Sequence, residues 1–292
     1  KHISLSRNKY LRNLKRIFVI YYLQIIELSS NFIFVGTFNP MAPFKGISLL
    51  HDLYIIDMPS VYGFFQRLFY KYFVIRTALN SKKIIVLSET LSKRVKTRFK
   101  KTNLFVYRYA PEMLIKKNIK KRTHTILIVL KNTKNKNSFL IYEVFKEILS
   151  LESKGDWELH VVTSDTKELK KISTNLEIPP NKINYFKNIS DKDLQILFAQ
   201  SQIYLTLSKV EGFGLSTRMA ILYGCVVVAP NQPIHKEASW DLGIYIDKFE
   251  PKSIAKAIIK ASMKSKVIAN EKVIEKNFLS DQKKNLKELN SF

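Results

Sequence analysis

Ser208-Lys-Val-Glu-Gly-Phe-Gly-Leu-Ser-Thr-Arg-Met-Ala-Ile-Leu-Tyr-Gly-Cys-Val-Val-Val-Ala-Pro-Asn231 reads as a loop, a helix, a glycine stop and a buried strand in one run. Glu211 sits at the mouth of the loop. Gly212, Phe213, Gly214 and Leu215 lead into a helix whose first N–H groups have no internal partner, and such a helix start, preceded by small residues, can hold a diphosphate. Gly224 supplies the stop, and the apolar run 225–229 that follows is a buried strand.

Upstream, the same alternation repeats. Strands are expected at 125–130, 157–162, 183–186 and 203–207, with helices at 137–151, 166–176 and 191–200 between them. Helices at 251–265 and 280–289 complete the chain. Strands separated by helical patterns argue for a parallel sheet covered by helices. A polar, lysine-rich stretch at 111–124 precedes this half and marks a domain boundary near residue 115. The first half carries an apolar-rich helix at 10–28, a strand at 32–35, and a buried strand at 46–53 that delivers His51 and Asp52 at its end. An aromatic and basic helix at 61–80, a strand at 83–87, a basic helix capped by Ser88 and a strand at 104–107 follow. In open α/β sheets, ligands bind at the carboxyl ends of strands, where His51 and Asp52 fall.

The run from Glu211 resembles the donor-site segment of retaining GT-B glycosyltransferases of family 4. Glu211, Gly212, Phe213, Gly214, Leu215, Ala220, Gly224, Val227 and Val228 fit that family's pattern. Ser216 stands where the family has Pro, and Met219 where it has a second Glu, eight positions after the first. Leu49-Leu50-His51-Asp52-Leu53, the Ser88-Glu89 segment, Lys131 through Lys136-Asn137, the segment 188–194 and the segment 241–247 are similar to further family segments. Leu130 replaces the usual Gly, and the family's opening strand with its glycine-rich loop has no counterpart before Lys1.

The resemblance implies an α/β GT-B fold: two Rossmann-like parallel-sheet domains facing a cleft, the N-terminal one truncated. Residues 1–115 would form the acceptor-side domain, 116–275 the donor domain, and 276–292 a helix packing back toward the first. It further implies that Glu211 and His51 are catalytic, and that Lys131, Lys136, Gly212, Phe213, Gly214, Leu215 and Met219 line the donor site. Lys131 and Lys136 would supply the fixed cations that stabilise a departing diphosphate without a metal; a lysine at 131, where the family has Arg, keeps the attraction and loses the bidentate fork. The family's second carboxylate holds the ribose hydroxyls. Methionine cannot, so a ribonucleotide donor forfeits a contact worth about 1.5–3 kcal/mol, whereas a deoxyribose donor such as dTDP-rhamnose forfeits less. Asp191-Lys-Asp193 imitates a metal-binding Asp-x-Asp but reads as a helix start capped by Ser190. His235 has no counterpart role in the family.

The bulk properties bound the rest. The chain has 292 residues, 46% of them apolar, one cysteine and a net charge of +25. That length suits two soluble domains, and a lone cysteine in a buried strand leaves no disulfide framework. No stretch approaches the roughly 20 apolar residues of a membrane-spanning helix. The expectation is therefore a cytoplasmic enzyme, peripheral on the inner membrane face, using a nucleotide-sugar donor, no metal or other cofactor, and a saccharide or lipid-linked acceptor in cell-surface polysaccharide synthesis. The aromatic and basic helix and the charge suit an anionic membrane surface. A noncatalytic GT-B partner of another transferase is the alternative that Met219 and Leu130 keep open. Nucleic-acid binding rests on charge alone, without a reader motif.

Overall fold

The computed structural model describes residues 33–35, 47–57, 63–100, 102–109, 111, 122–130, 136–263 and 271–290. The expected helix at 10–28 and the residue Lys131 lie outside them. The chain divides into two compact units, Lys1–Arg108 with Glu288–Phe292, and Tyr109–Lys287.

In the first unit the described elements are β1 (Ile33–Val35), β2 (Ile47–Leu50), α1 (Tyr54–Asp57), α2 (Phe64–Asn80), β3 (Lys83–Val86), α3 (Glu89–Arg98) and β4 (Leu104–Val106). The strands pair in parallel in the order β1-β2-β3-β4. Leu50, Ile84 and Val86 of the sheet pack with Leu53, Val74 and Ala78 and with Leu91 and Val95 of α3. Ser88 caps α3 by accepting from the Leu91 N–H at 3.0 Å, as its residue type predicted. Arg94 and Arg98 of this basic helix both pair with Asp57, so part of its charge is engaged within the fold.

The second unit runs β5 (Thr125–Leu130), α4 (Ser138–Leu151), β6 (Glu158–Thr163), α5 (Lys167–Asn175), β7 (Ile183–Lys187), α6 (Asp191–Gln200), β8 (Ile203–Leu205), α7 (Leu215–Leu222), β9 (Val226–Pro230), α8 (Pro233–Ala238), β10 (Ile244–Ile246), α9 (Pro251–Met263) and α10 (Glu271–Leu289). Its six strands are all parallel in the order β10-β9-β8-β5-β6-β7. This is a doubly wound sheet whose strand order reverses between β5 and β8, and in such sheets the crevice at the reversal takes the ligand. Alternation along β5 serves both faces. Ile126, Ile128 and Leu130 join Ile141, Tyr142 and Phe145 of α4 in one core, while Leu127 joins Phe198, Ala220 and Ile221 in the other.

Most element ends shift from the sequence expectation by one to three residues, and some differences have a clear cause. The last helix begins at Glu271 rather than at residue 280, because Ile274 is buried and Phe278 packs on the second core. The strand expected from Cys225 begins at Val226, because the Cys225 N–H is occupied in closing α7. The short α8 and β10 were not expected, being too brief to show a period.

Candidate active site

The loops leaving β5 and β8, on either side of the sheet's reversal, bring Lys136 and Glu211 together. Lys136 and Glu211 form an ion pair, each side chain about one-fifth exposed (22% and 20%). Asn137, next to Lys136, adopts the left-handed conformation (φ 48°) and its Nδ2 donates to the Leu207 carbonyl at 2.9 Å. That bond fixes the β5 loop to the β8 loop.

Gly214 ends the second loop as the N-cap of α7 with φ 80°. A Cβ there would lie 3.2 Å from the Cβ of Ala238, so the position needs glycine for conformation and for space. At the far end of α7, Gly224 has φ 72°. The Cys225 N–H donates to the Ala220 carbonyl at 2.9 Å and the Gly224 N–H to the Ile221 carbonyl at 3.0 Å. This is a Schellman closure, the physical content of the glycine stop.

Phe213 is buried, edge-on to Tyr109 at 6.2 Å between ring centroids. Its ring lies 5.4 Å from the guanidinium of Arg218, a residue only 2% exposed. Arg218 stacks 3.7 Å from the centre of the Trp240 ring, donates to the Glu237 carbonyl at 3.0 Å and pairs with Asp281 at 3.1 Å. Burial lowers its pKa to about 10, with Asp281 pulling the other way. Trp240 Nε1 donates to the same Asp281 oxygen at 2.8 Å, so α7, α8's end and α10 are tied behind the loop. Sequence reading passed over this group. Its signal was a lone charged residue, an arginine, in the middle of a helix that runs into an apolar segment, a position that demands a buried partner.

His235 was left without a role, yet it is fully buried behind the Glu211 loop, its Nε2 3.1 Å from the Ser208 carbonyl. Burial lowers its pKa, opposed by the Ser208 carbonyl and Glu211 and reinforced by Lys136. Nε2 donates to that carbonyl, so the imidazole ties α8 to the Glu211 loop.

A cavity of about 250 Å³ opens beside α7, lined by Tyr109, Leu215, Ser216 and Met219 together with Asp191, Leu194, Gln195 and Phe198. Met219 is 7% exposed and packs in the second core. Ser190 caps α6, accepting from the Asp193 N–H at 3.1 Å, and donates its hydroxyl proton to the Asp193 carboxylate at 2.6 Å. Asp191-Lys-Asp193 is thus a helix start. Among the described residues no group of three or more His, Cys, Asp or Glu side chains could hold a metal ion. No described helix is long and apolar enough to cross a membrane. His51 lies just past β2 in the first unit, beside Asp52, whose carboxylate accepts from the Tyr54 N–H at 2.9 Å.

An α/β chain of two parallel-sheet units, with paired charges at the reversal of the second sheet, has the architecture of the GT-B class. The chain belongs to the glycosyl transferases group 1 family, whose pattern matches residues 110–278, more than half of its length. No curated protein matches it by sequence alone. Among solved structures it is similar to S. aureus TarM, crystallised with Fondaparinux, alpha-GlcNAc-glycerol and UDP, at 16% identity and a TM-score of 0.71, covering 94% of this chain and 59% of that one. It is also similar to WaaG, a glycosyltransferase involved in lipopolysaccharide biosynthesis, at 17% identity and a TM-score of 0.70, covering 95% of this chain and 80% of that one. The pneumococcal O-GlcNAc transferase GtfA, solved with UDP and GlcNAc, matches at 14% identity and a TM-score of 0.66, covering 94% of this chain and 60% of that one. Such identities show the fold, GT-B, and nothing finer. The chain spans about three-fifths of the length of TarM and GtfA.

Proposed function

We propose that this protein is a retaining, metal-independent glycosyltransferase of family 4 that moves a sugar from a nucleoside diphosphate onto a saccharide or lipid-linked acceptor in cell-surface polysaccharide synthesis. The observation that carries the reading is the Lys136–Glu211 pair at the sheet reversal, Glu211 standing in the loop that leads into α7; Leu215, Ser216 and Met219 of that helix line a cavity of about 250 Å³. The known function of WaaG and the UDP bound to TarM and GtfA support the class of donor and acceptor.

In this reading the diphosphate lies against the N-terminus of α7, where helix N–H groups and the Lys136 ammonium offset the charge that grows as the bond to the anomeric carbon breaks. An ammonium has three donors, so Lys136 keeps Glu211 on one and offers others to phosphate. Lys131 supplies a second cation and His51 a hydrogen bond to the sugar or the leaving group. Glu211 faces the sugar, and its carboxylate stabilises positive charge at the anomeric carbon. The electron pair of the broken bond leaves with the diphosphate, the acceptor oxygen takes its place on the same face, and the acceptor proton passes to the leaving oxygen.

Met219 turns an apolar side chain toward the nucleoside cavity, which favours a donor with fewer ribose hydroxyls, a dTDP-sugar such as dTDP-rhamnose. It also motivates the rival reading, a noncatalytic partner of another transferase. Transfer from sugar nucleotides to a membrane extract, assayed with EDTA present and with product stereochemistry read by NMR, separates the two. Retained anomeric configuration, lost in Glu211→Gln, supports the proposal. An inverted product, a metal requirement, or nucleotide binding without turnover refutes it.

A further inference from the structure

Helix α2 is amphipathic in the reverse sense. Its inward side is Val74, Thr77 and Ala78, all buried. The opposite side, at helical spacing, presents Phe64, Phe65, Leu68, Phe69, Tyr72 and Leu79 to solvent, with exposures from 48% at Phe69 to 84% at Phe65. A single exposed leucine is ordinary, but six large apolar side chains on one helix face form a contiguous patch that a monomer in water does not explain. The rings support one another, with Phe64 edge-on to Phe65 at 5.5 Å and Phe69 edge-on to Phe73 at 4.6 Å. The patch is thus a firm surface rather than a set of loose side chains.

The charge around it selects the occupant. From residue 58 to residue 88 the sequence has no Asp or Glu, while it carries Arg67, Lys71, Arg76, Lys82 and Lys83. Arg76 lies among the exposed apolar residues; its guanidinium donates to the Tyr72 hydroxyl at 2.8 Å and lies 5.7 Å from the centre of that ring. An arginine held to a tyrosine, its stem along apolar surface, is suited to a boundary that is apolar on one side and anionic on the other. A second copy of this chain would bring the same cations face to face and gain no opposite charge.

We propose that the exposed face of α2 docks on an anionic phospholipid surface, its phenylalanines entering the interfacial layer and Lys71 and Arg76 meeting lipid phosphates. Docking there would confine the enzyme to the plane in which a lipid-linked acceptor moves, but the inference stands on α2 alone and does not need the donor site.

The test is co-sedimentation of the full chain with vesicles of equal parts phosphatidylglycerol and phosphatidylcholine, against vesicles of phosphatidylcholine alone, for the wild type, Phe65→Ser with Phe69→Ser, and Lys71→Gln with Arg76→Gln. These side chains are outside the core, and each variant's thermal midpoint should match the wild type. The wild type should sediment with the anionic vesicles, weakening as salt is added; the serine pair should lose about tenfold or more, and the glutamine pair about as much. Absence of binding to anionic vesicles overturns the proposal, as does binding that survives both pairs. Concentration-dependent self-association abolished by the serine pair, with no vesicle binding, overturns it in favour of a contact between copies. A protein that binds vesicles but no sugar nucleotide would refute the proposed function and leave this inference intact.

Discussion

Met219→Glu sets two terms of known size against each other. Met219 is 7% exposed, packs with Leu127, Phe198 and Ile221, and lines the cavity beside Ser216. A carboxylate there is largely desolvated, so the free variant should lose about 1–3 kcal/mol of stability. When a nucleotide is bound, the same carboxylate can accept from ribose hydroxyls, a charge-assisted contact worth about 1.5–3 kcal/mol. UDP and dUDP differ only at the 2′ position, so their comparison isolates that contact. Isothermal titration should find the wild type binding dUDP more tightly than UDP, and the variant reversing that order to prefer UDP by about tenfold or more. Met219→Gln, neutral and similar in volume, controls for folding and should fall between them. Equal changes for UDP and dUDP would refute the reasoning, because they would mean that residue 219 does not face the ribose.

Asp281→Ala should cost about 3–5 kcal/mol, since it leaves a buried guanidinium unpaired and strips the acceptor from Trp240 Nε1. Calorimetry should show a fall of order ten degrees in melting temperature; a shift under about 2 °C would show the clasp to be unimportant. Gly214→Ala should lose about 1–2 kcal/mol through its positive φ and further affinity through the displaced loop, measured by urea unfolding and nucleotide titration; an unchanged variant would contradict the cap. Burial holds His160 and His235 below the ordinary 6.5, so the folded state resists the protons that the unfolded chain accepts. Stability contributed above pH 6.5 is therefore lost as pH falls through that value and toward the folded pKa values, and the urea midpoint should drop from pH 7.5 to 5.5, less steeply in His235→Gln. An equal or steeper drop in that variant would show that His235 takes its proton freely when folded.

The second unit was legible because its strands are buried on both faces and its helices are punctuated. Thr125–Leu130 and Asp191–Gln200 coincide with the expected bounds, the first as a continuous apolar run and the second because Ser190 and two aspartates mark its start. Glu211 and Lys136 are 75 residues apart in sequence; the family pattern assigned both to one site, but no signal in the sequence pointed to their ion pair. The roles of His235, Arg218, Trp240 and Asp281 were not legible in the sequence for a physical reason. Their roles are to hold the loop from behind, and such contacts join side chains distant in sequence without leaving a period or a motif. The exposed face of α2 was hidden differently: a helix apolar on both sides shows abundant aromatics, and only the fold tells which side faces out.

Glu211, Lys136 and the start of α7 are proposed to take a nucleoside diphosphate. Thermal shift with UDP, GDP, ADP, dTDP and their common sugar derivatives, in EDTA, for the wild type and Lys136→Met, tests this most directly. A ligand at about 100 times its dissociation constant should add about 2.7 kcal/mol of stability. The shift should be selective, strongest with dTDP or a dTDP-sugar and abolished in Lys136→Met; silence across the panel, or a shift that Lys136→Met leaves intact, would rule out a nucleoside diphosphate there.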